Sequence, residues 1–184
     1  MSATRDLPIK DETTGPARDE GRGDRSQPLV RVRAATRADI PALASFINAA
    51  FAIETFLEGT RTNPEQLEAM MEAGTVLTAE DAEGRLLGSV YTEHRGNRAY
   101  MGMLAVDPAH QGKGLARLLL RACEERYRGL GCEAIYISVL NLRPELLRVY
   151  RRYGFAETGT EEFHTGQAAK PGVKCHCVVM SKNL

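Results

Sequence analysis

Hydrophobic positions in this chain repeat with two different periods, and the changes of period divide it into strands and helices. Runs that alternate every second residue, or that are apolar throughout, predict strands, whereas apolar residues three and four apart predict helices. Strands that can pair as hairpins come first along the chain, and a β-α-β-α segment follows. This order predicts an α/β fold around a mixed sheet. The predicted strands are residues 29–33, 75–81, 86–93, 98–106, 134–140, 156–163 and 175–181, and the predicted helices are residues 38–50, 63–73, 114–130 and 144–153.

Residues that start and stop helices support these boundaries. Thr36, with Asp39 three residues later, is a typical N-terminal capping pair, and Asn63 followed by proline starts the second helix. Gly74 and Gly131 follow the last residues of two predicted helices, where a residue without a Cβ is favoured.

Composition narrows the class of protein. The chain has 184 residues, of which 43% are hydrophobic, and its formal net charge is zero. This length supports one hydrophobic core, and the balanced charge gives no reason to expect binding to nucleic acid or to an anionic membrane. No run approaches the roughly 18 apolar residues of a membrane span, and the first residues lack the apolar segment of a secretion signal. Together with cysteines expected to be reduced thiols, this predicts a cytoplasmic protein.

The first 28 residues differ from the rest because they contain almost no apolar side chains. Such a segment cannot bury enough surface to offset its ordering entropy. The sequence therefore predicts a disordered tail over residues 1–28 and one folded domain over residues 29–184.

Cys175, His176 and Cys177 are residue types that bind metals elsewhere. On a strand the two cysteines share one face and the histidine points to the other, so the three cannot easily converge on one ion. No second ligand pair with zinc-site spacing follows, and no metal is expected.

Residues 106–116, VDPAHQGKGLA, carry the strongest chemical signal. They run from an apolar strand through a turn into a loop with Gly112 and Gly114, directly before an amphipathic helix. Backbone N–H groups in such a loop, together with the helix dipole, bind phosphate oxygens, and glycines let the main chain approach the anion closely. The loop therefore predicts a pyrophosphate site, the alternative being a glycine-rich turn that merely starts the helix.

Two nucleotide-binding motifs do not fit this loop. The P-loop pattern fails because Asp107 and Gly114 stand where the first glycine and the Ser/Thr are required. The dinucleotide pattern G-x-G-x-x-G fails because Arg117 stands at the third glycine.

The loop resembles the Q/R-x-x-G-x-G/A acyl-CoA loop of the GNAT superfamily of N-acetyltransferases, through Gln111, Gly112, Lys113, Gly114, Leu115 and Ala116. The run from Tyr150 to Phe155, YRRYGF, resembles the Y-x-x-x-G-F/Y end of that superfamily's second conserved segment. The resemblance spans about residues 29–182. It implies a mixed, mostly antiparallel sheet of about six to seven strands, splayed in the middle to admit acyl-CoA, with about four helices.

The chain departs from the superfamily pattern at one position. The superfamily often has an Asn seven residues before the tyrosine, which hydrogen-bonds the pantetheine arm of CoA, but here Arg143 has that spacing and Asn141 lies two residues earlier. The resemblance therefore implies that Asn141 makes the hydrogen bond to the pantetheine arm. Arg143 either reaches a ligand carboxylate or CoA, or forms a salt bridge with Glu145 or another acid.

The resemblance also implies how the donor is held. The loop is expected to bind pyrophosphate, with Lys113 either adding charge or simply solvated. Tyr150 is expected near the CoA sulfur as general acid, or as hydrogen-bond donor to the thiolate, because a phenol pKa of about 10 against about 8.5 for a thiol makes full transfer uphill. The alternative is that Tyr150 packs in the core beside Phe155. The backbone donors expected for pantetheine and the oxyanion are those of Leu104, Ala105 and Val106.

A general base must deprotonate the acceptor amine, and Glu54, Glu93 and His94 are the candidates. Glu93 and His94 end a strand with side chains on opposite faces, and Glu93 is also assigned to the acceptor site. Arg61 either binds a carboxylate of the acceptor or is exposed, and each acid has the alternative of a solvated surface charge. Glu54 is preferred because apolar neighbours would desolvate it and raise its pKa; these neighbours are Phe51, Ile53, Phe56 and Leu57.

These expectations combine into one function. The chain is expected to transfer an acetyl group from acetyl-CoA, its co-substrate, to a primary amine by direct attack in a ternary complex, without a metal. The acceptor is a small-molecule or protein amine, and the resemblance also allows a homodimer. The alternative is a non-catalytic acyl-CoA-binding or regulatory domain on the same fold, which would keep the loop without needing Tyr150.

Overall fold

The predicted helices and strands are present with small shifts of their ends. A computed structural model of the chain describes residues 30–163 and 167–184, so the predicted tail lies outside the described residues. The strands are β1 (Arg31–Ala34), β2 (Thr75–Glu80), β3 (Leu86–Arg95), β4 (Arg98–Val106), β5 (Ala134–Leu140), β6 (Ala156–Glu162) and β7 (His176–Asn183). The α-helices are α1 (Ile40–Phe51), α2 (Pro64–Ala73), α3 (Leu115–Gly129) and α4 (Pro144–Arg152).

Helix ends form where capping residues predicted them. The backbone N–H of Thr36 donates to the Asp39 carboxylate at 2.7 Å, and a short 3-10 turn there leads into α1. Asn63 caps α2 by accepting from the N–H of Gln66 at 2.8 Å. Gly74 ends α2 for a different reason from the one expected, because a Cβ at this position would lie 2.3 Å from the carbonyl oxygen of Thr92. Close approach of β3, not a left-handed turn, requires glycine there.

The seven strands form one sheet in the order β1-β2-β3-β4-β5-β7-β6. Neighbouring strands are antiparallel except for β4 and β5, which are parallel. The prediction of a mixed, mostly antiparallel sheet is therefore confirmed.

The sheet splays between β4 and β5. Their pairing stops at Met101 and Ile137, although both strands continue beyond it. Just past this point β4 contains Met103, a non-glycine residue with φ of 49°, and the register between β3 and β4 shifts. A bulge of this kind bends one strand away from its neighbour. The carboxyl ends of β4 and β5 therefore diverge, as the superfamily resemblance implied.

Helices cover both faces of the sheet. On one face α3 buries Leu119, Leu120 and Cys123 against the strands, and on the other α1 and α2 bury Leu43 and Leu67. Full burial of an aliphatic side chain of this size stabilises the fold by about 1.5–3 kcal/mol. This packing fixes the N-terminal end of α3 beside the carboxyl end of β4.

Two further findings concern membrane-spanning helices and metal sites. None of the helices within residues 30–163 and 167–184 combines the length and apolar character needed to cross a bilayer. The same residues contain no cluster of three potential metal-ligating acids, histidines or cysteines. In the Cys175-His176-Cys177 run, Cys177 is buried and His176 is exposed, as expected for alternating sides of a strand.

Candidate active site

Unpaired backbone N–H groups surround the start of α3. Gly112 and Gly114 have φ of 76° and 85°, so the chain turns through the left-handed region twice before the helix begins. A Cβ at either glycine would meet no atom within 4 Å, which leaves this side of the loop open. Among the described residues, none accepts a hydrogen bond from the backbone N–H groups of residues 112–117. The loop is thus a concave set of donors at the positive end of a helix dipole.

A pocket of about 200 Å³, the phosphate pocket, lies against this loop. Beside the pocket, the Asp107 carboxylate accepts from the N–H of Ala109 at 3.0 Å and lies 2.8 Å from Nδ1 of His110. The bond from Ala109 and, to a smaller extent, the contact with His110 hold the pKa of the Asp107 carboxyl below its usual range. Lys113 is exposed. The pocket is lined by Val106, His110, Gln111, Gly112, Gly114, Leu115, Ala116 and Tyr153.

A groove of about 360 Å³ leads from the loop to Tyr150 between the end of β4 and α4. Asp107 donates its N–H to the carbonyl of Leu87 on β3 at 2.9 Å. Because backbone groups of a strand alternate in direction, Ala105 also points to β3, and Leu104 and Val106 point away from it. Of the three predicted backbone donors, Leu104 and Val106 therefore face the splay. The groove lining includes Phe51, Leu104, Gln111, Ala116, Leu146 and Val149.

The groove continues into a gap between the diverging ends of β4 and β5, a cavity of about 70 Å³. Glu54 and Tyr150, which are 96 positions apart in the sequence, both line it. The ring of Tyr150 packs edge-on against Phe155, with the centroids 5.7 Å apart. Burial raises the pKa of Tyr150 above its ordinary value. Its hydroxyl has no hydrogen-bond partner among the described residues, so Tyr150 both packs in the core and presents a free donor to the gap.

Glu54 is a buried carboxylate, with 5% of its side chain exposed. Arg143 Nη1 donates to its Oε1 at 3.2 Å, whereas Arg61 Nη1 lies 3.9 Å from its Oε2, which has no hydrogen bond. Desolvation by burial raises the pKa of Glu54 and outweighs the opposing effect of the two arginines. The predicted direction is confirmed, but Ile53 does not contribute, because it is 67% exposed.

The residues around the superfamily's asparagine position have structural partners. The side-chain oxygen of Asn141 accepts from the N–H of His176 at 3.0 Å, and its amide nitrogen donates to the carbonyl of Lys174 at 3.4 Å. Asn141 thus holds the segment that enters β7, and it lines neither the groove nor the gap. Arg143 lines both, and its Nε lies 2.5 Å from Glu145. The expected salt bridge of Arg143 therefore exists, with Glu54 as a second partner.

Glu93 and His94 lie outside the gap. Glu93 accepts from Arg95 at 2.8 Å and from the Tyr91 hydroxyl at 3.0 Å, and these bonds hold its pKa below the usual range. His94 stacks on Tyr127 of α3, on the opposite face of β3. A paired carboxylate with a lowered pKa is a poor proton acceptor, so the geometry favours Glu54 among the three candidates.

An outer cavity of about 270 Å³, which was not predicted from the sequence, shares Arg61, Ser138 and Leu140 with the gap. Its aromatic wall consists of Tyr100 on β4 and Tyr136 on β5, which are paired in the sheet and whose rings lie 5.4 Å apart. A tyrosine in each of two predicted strands was the signal in the sequence that could have indicated this cavity. The remaining lining is Arg95, Glu161, Glu162, Phe163 and Cys177.

Comparison with known proteins identifies the family of this chain. Residues 43–155, more than half of the chain, match the model of the acetyltransferase (GNAT) family. The chain belongs to the GNAT acetyltransferase family. The matched residues include most of α1, the loop before α3, Glu54 and Tyr150.

Individual relatives match only parts of this GNAT protein. Glucosamine 6-phosphate N-acetyltransferase 1 of Oryza sativa subsp. japonica is 35% identical over 112 residues, which are 56% of this chain and 66% of that enzyme. Spermine/spermidine N(1)-acetyltransferase of Bacillus subtilis is 29% identical over 73 residues, 39% of this chain and 48% of that enzyme. The chain thus spans less than two thirds of the length of these curated relatives.

Solved structures share the fold over nearly the whole of their length. The Salmonella typhimurium protein yncA, solved with its cofactor acetyl-CoA, has a TM-score of 0.67 at 23% identity, covering 85% of this chain and 94% of that one. At this identity the likeness shows the GNAT fold.

Proposed function

We propose that this GNAT protein transfers an acetyl group from acetyl-CoA to a primary amine by direct attack in a ternary complex. The observation that carries the proposal is the continuity of three features: the unpaired N–H groups at α3, the groove, and the gap where Glu54 and Tyr150 meet. Relatives named for glucosamine 6-phosphate and for spermine support an amine as the acceptor.

The donor side suits acetyl-CoA. Residues 112–117 offer N–H groups to a pyrophosphate. The groove suits a pantetheine arm, because most of its lining is apolar side chains and backbone, with Gln111, Arg143 and Arg152 as its polar side chains. When bound, acetyl-CoA supplies a thioester carbonyl as the electrophile. The N–H groups of Leu104 and Val106, left without β5 as a partner, are proposed to bind the arm and the carbonyl oxygen. Loss of one such donor in enzymes generally costs roughly 3–4 kcal/mol.

Glu54 is proposed to accept the proton that an ammonium acceptor must lose, directly or through a water. Its raised pKa makes it a stronger base than an exposed glutamate. The neutral amine then forms an N–C bond to the acetyl carbon as the C–S bond breaks. The amine loses a second proton, the sulfur gains one, and the net reaction releases one proton.

Tyr150 is proposed to donate a hydrogen bond to the departing sulfur. Burial raises its pKa, so the phenol stays protonated and serves as a donor throughout the neutral range. Full proton transfer to sulfur is not required of it. The bond strengthens as negative charge builds on sulfur, which stabilises the transition state more than the bound substrate.

The first test is acetyl-CoA binding by calorimetry, with thiol release followed in the same samples. Gly112→Glu and Gly114→Glu place a carboxylate in the phosphate pocket and should abolish micromolar binding. Gly131→Glu is the matched control, because Gly131 also has a positive φ, 80°, with open space around it, at the far end of α3. Equal binding by all variants, or none by the wild type, would overturn the proposal. Binding without acetylation of any amine would favour a non-catalytic acyl-CoA-binding domain.

A further inference from the structure

The outer cavity and the groove reach the gap separately, since the outer cavity shares lining residues with the gap but none with the groove. An acceptor entering it would meet the acetyl group at the gap. Its volume of about 270 Å³ is near the lower end of small-molecule sites, which are about 300–1,000 Å³. The cavity therefore suits a compact acceptor.

Arg61 stands at the junction of the outer cavity and the gap, and the described residues leave most of its N–H donors unused. Its side chain is 15% exposed. Its guanidinium lies 4.8 Å from the centre of the Phe51 ring and donates one long bond, of 3.4 Å, to Gln167. The nearest carboxylate oxygen among the described residues, on Glu54, is 3.9 Å away, beyond hydrogen-bond distance. A guanidinium has five N–H donors, and a nearly buried cation is costly unless these donors are satisfied.

The other arginines near the gap are already paired. Arg95 donates to the Glu93 carboxylate through two nitrogens at 2.8 Å and to the Tyr136 hydroxyl at 2.9 Å. Arg143 bonds Glu54 and Glu145. Of these three cations, Arg61 is the one whose fork remains available to a ligand anion, and planar anions bind this fork through two parallel hydrogen bonds.

We infer that the acceptor is a small amino carboxylate, such as an α-amino acid, whose carboxylate binds Arg61 while its amine faces the gap. This inference rests on the proposed acetyltransferase function. The remainder of the acceptor lies against Tyr100 and Tyr136, whose rings form the wall of the outer cavity.

Glu161 limits how much negative charge the acceptor can carry. It lines the same cavity and has no ion-pair partner among the described residues. A single carboxylate can bind Arg61 while the rest of the molecule stays neutral or positive toward Glu161. A phosphate dianion would place a second negative charge in the cavity, which repulsion from Glu161 disfavours.

Binding of a carboxylate at Arg61 would also assist Glu54. The positive charge of Arg61 opposes the effect of burial and holds down the pKa of Glu54. A ligand carboxylate on Arg61 neutralises that charge and adds a negative one nearby. Glu54 then becomes a stronger base when an acceptor of this class is present.

The test compares amines that differ in the carboxylate alone. Phenylalanine is assayed against 2-phenylethylamine and lysine against its decarboxylated diamine, with glucosamine 6-phosphate and spermidine as further acceptors. We expect kcat/KM at least about tenfold higher for the amino acid of each pair, since a charge-assisted hydrogen bond contributes about 1.5–3 kcal/mol.

Variants separate the role of Arg61 from differences in amine basicity. Arg61→Gln should raise KM for the amino acid and remove the preference within each pair, while acetyl-CoA binding stays unchanged. Arg98→Gln is the matched control, because Arg98, like Arg61, lies over an aromatic ring, that of Tyr136 at 4.4 Å, but does not line the outer cavity. It should keep the preference.

The outcomes distinguish the two proposals. A kcat/KM for the decarboxylated amines equal to or above that for the amino acids, or a preference that survives Arg61→Gln, would overturn this inference and leave an acetyltransferase with another acceptor. Failure of the wild type to bind acetyl-CoA would overturn the proposed function, and the inference with it.

Discussion

Removal of the Tyr150 hydroxyl is the sharpest probe of the proposed chemistry. In Tyr150→Phe the ring can keep its edge-on contact with Phe155, 5.7 Å between centroids, and no hydrogen bond to a described residue is lost. The free energy of unfolding should therefore change by less than about 0.5 kcal/mol. A sulfur in a thioester is a weak acceptor, so the dissociation constant for acetyl-CoA should also stay the same.

The rate should fall because the hydroxyl acts when charge builds on sulfur. A hydrogen bond to a charged group contributes about 1.5–3 kcal/mol, which corresponds to a loss of about 10- to 150-fold in kcat. The assay is thiol release at saturating acetyl-CoA, with calorimetry for binding and thermal unfolding for stability.

Tyr153→Phe is the control, since Tyr153 also lines the groove but not the gap. Its kcat should change by no more than about twofold. An unchanged kcat in Tyr150→Phe would remove this residue from the mechanism. A large loss of stability accompanied by weaker acetyl-CoA binding would show that its role is packing.

Three further predictions concern buried and paired charges. Arg143→Gln leaves Glu54 with Arg61, 3.9 Å away, as its nearest cation. This substitution should lower the free energy of unfolding by about 3 kcal/mol at pH 7. Adding Glu54→Gln should restore part of the lost stability, which a double-mutant cycle measures. Because the pKa of Glu54 is raised, the pH profile of kcat/KM should rise with an apparent pKa above the usual glutamate value of about 4.3. Glu54→Gln should abolish this rise. If the rise persists in the variant, Glu54 is not the base. The bond from Arg33 lowers the pKa of Asp39, so the pair stabilises the fold above about pH 3.9 and this stability is lost as pH falls through the lowered value. Asp39→Asn should therefore cost about 1 kcal/mol at pH 7, and the difference from wild type, followed by urea unfolding, should shrink in acid.

Local signals predicted the helices and strands well. Strands β4 and β5 have the predicted ends, because polar or turn residues bound continuous apolar runs there. Asn63 and Pro64 likewise start α2 at the expected position. These signals act within a few residues of the chain, which is why one sequence suffices to find them.

Long-range contacts explain what the sequence did not predict. Glu54 and Arg143 are 89 positions apart, and their ion pair depends on a sheet that splays between β4 and β5. The hydrophobic residues beside Glu54 suggested burial, but they gave no indication that two arginines share its carboxylate or that Ile53 faces solvent. The amide of Asn141 is likewise used to anchor β7, a partner that no local pattern identifies.

The position of β7 between β5 and β6 has a consequence for how the chain folds during synthesis. Strands β1 to β4 pair with neighbours, and β2, β3 and β4 follow one another along the chain as hairpins, so this half can form as it emerges. β6 has β7 as its neighbour in the sheet, and β7 leaves the ribosome after it. Until then β5 presents an unpaired edge, which is the kind of edge that associates with other chains. The half of the sheet that β5, β6 and β7 form is therefore more exposed to association with other chains during synthesis than the half that β1 to β4 form.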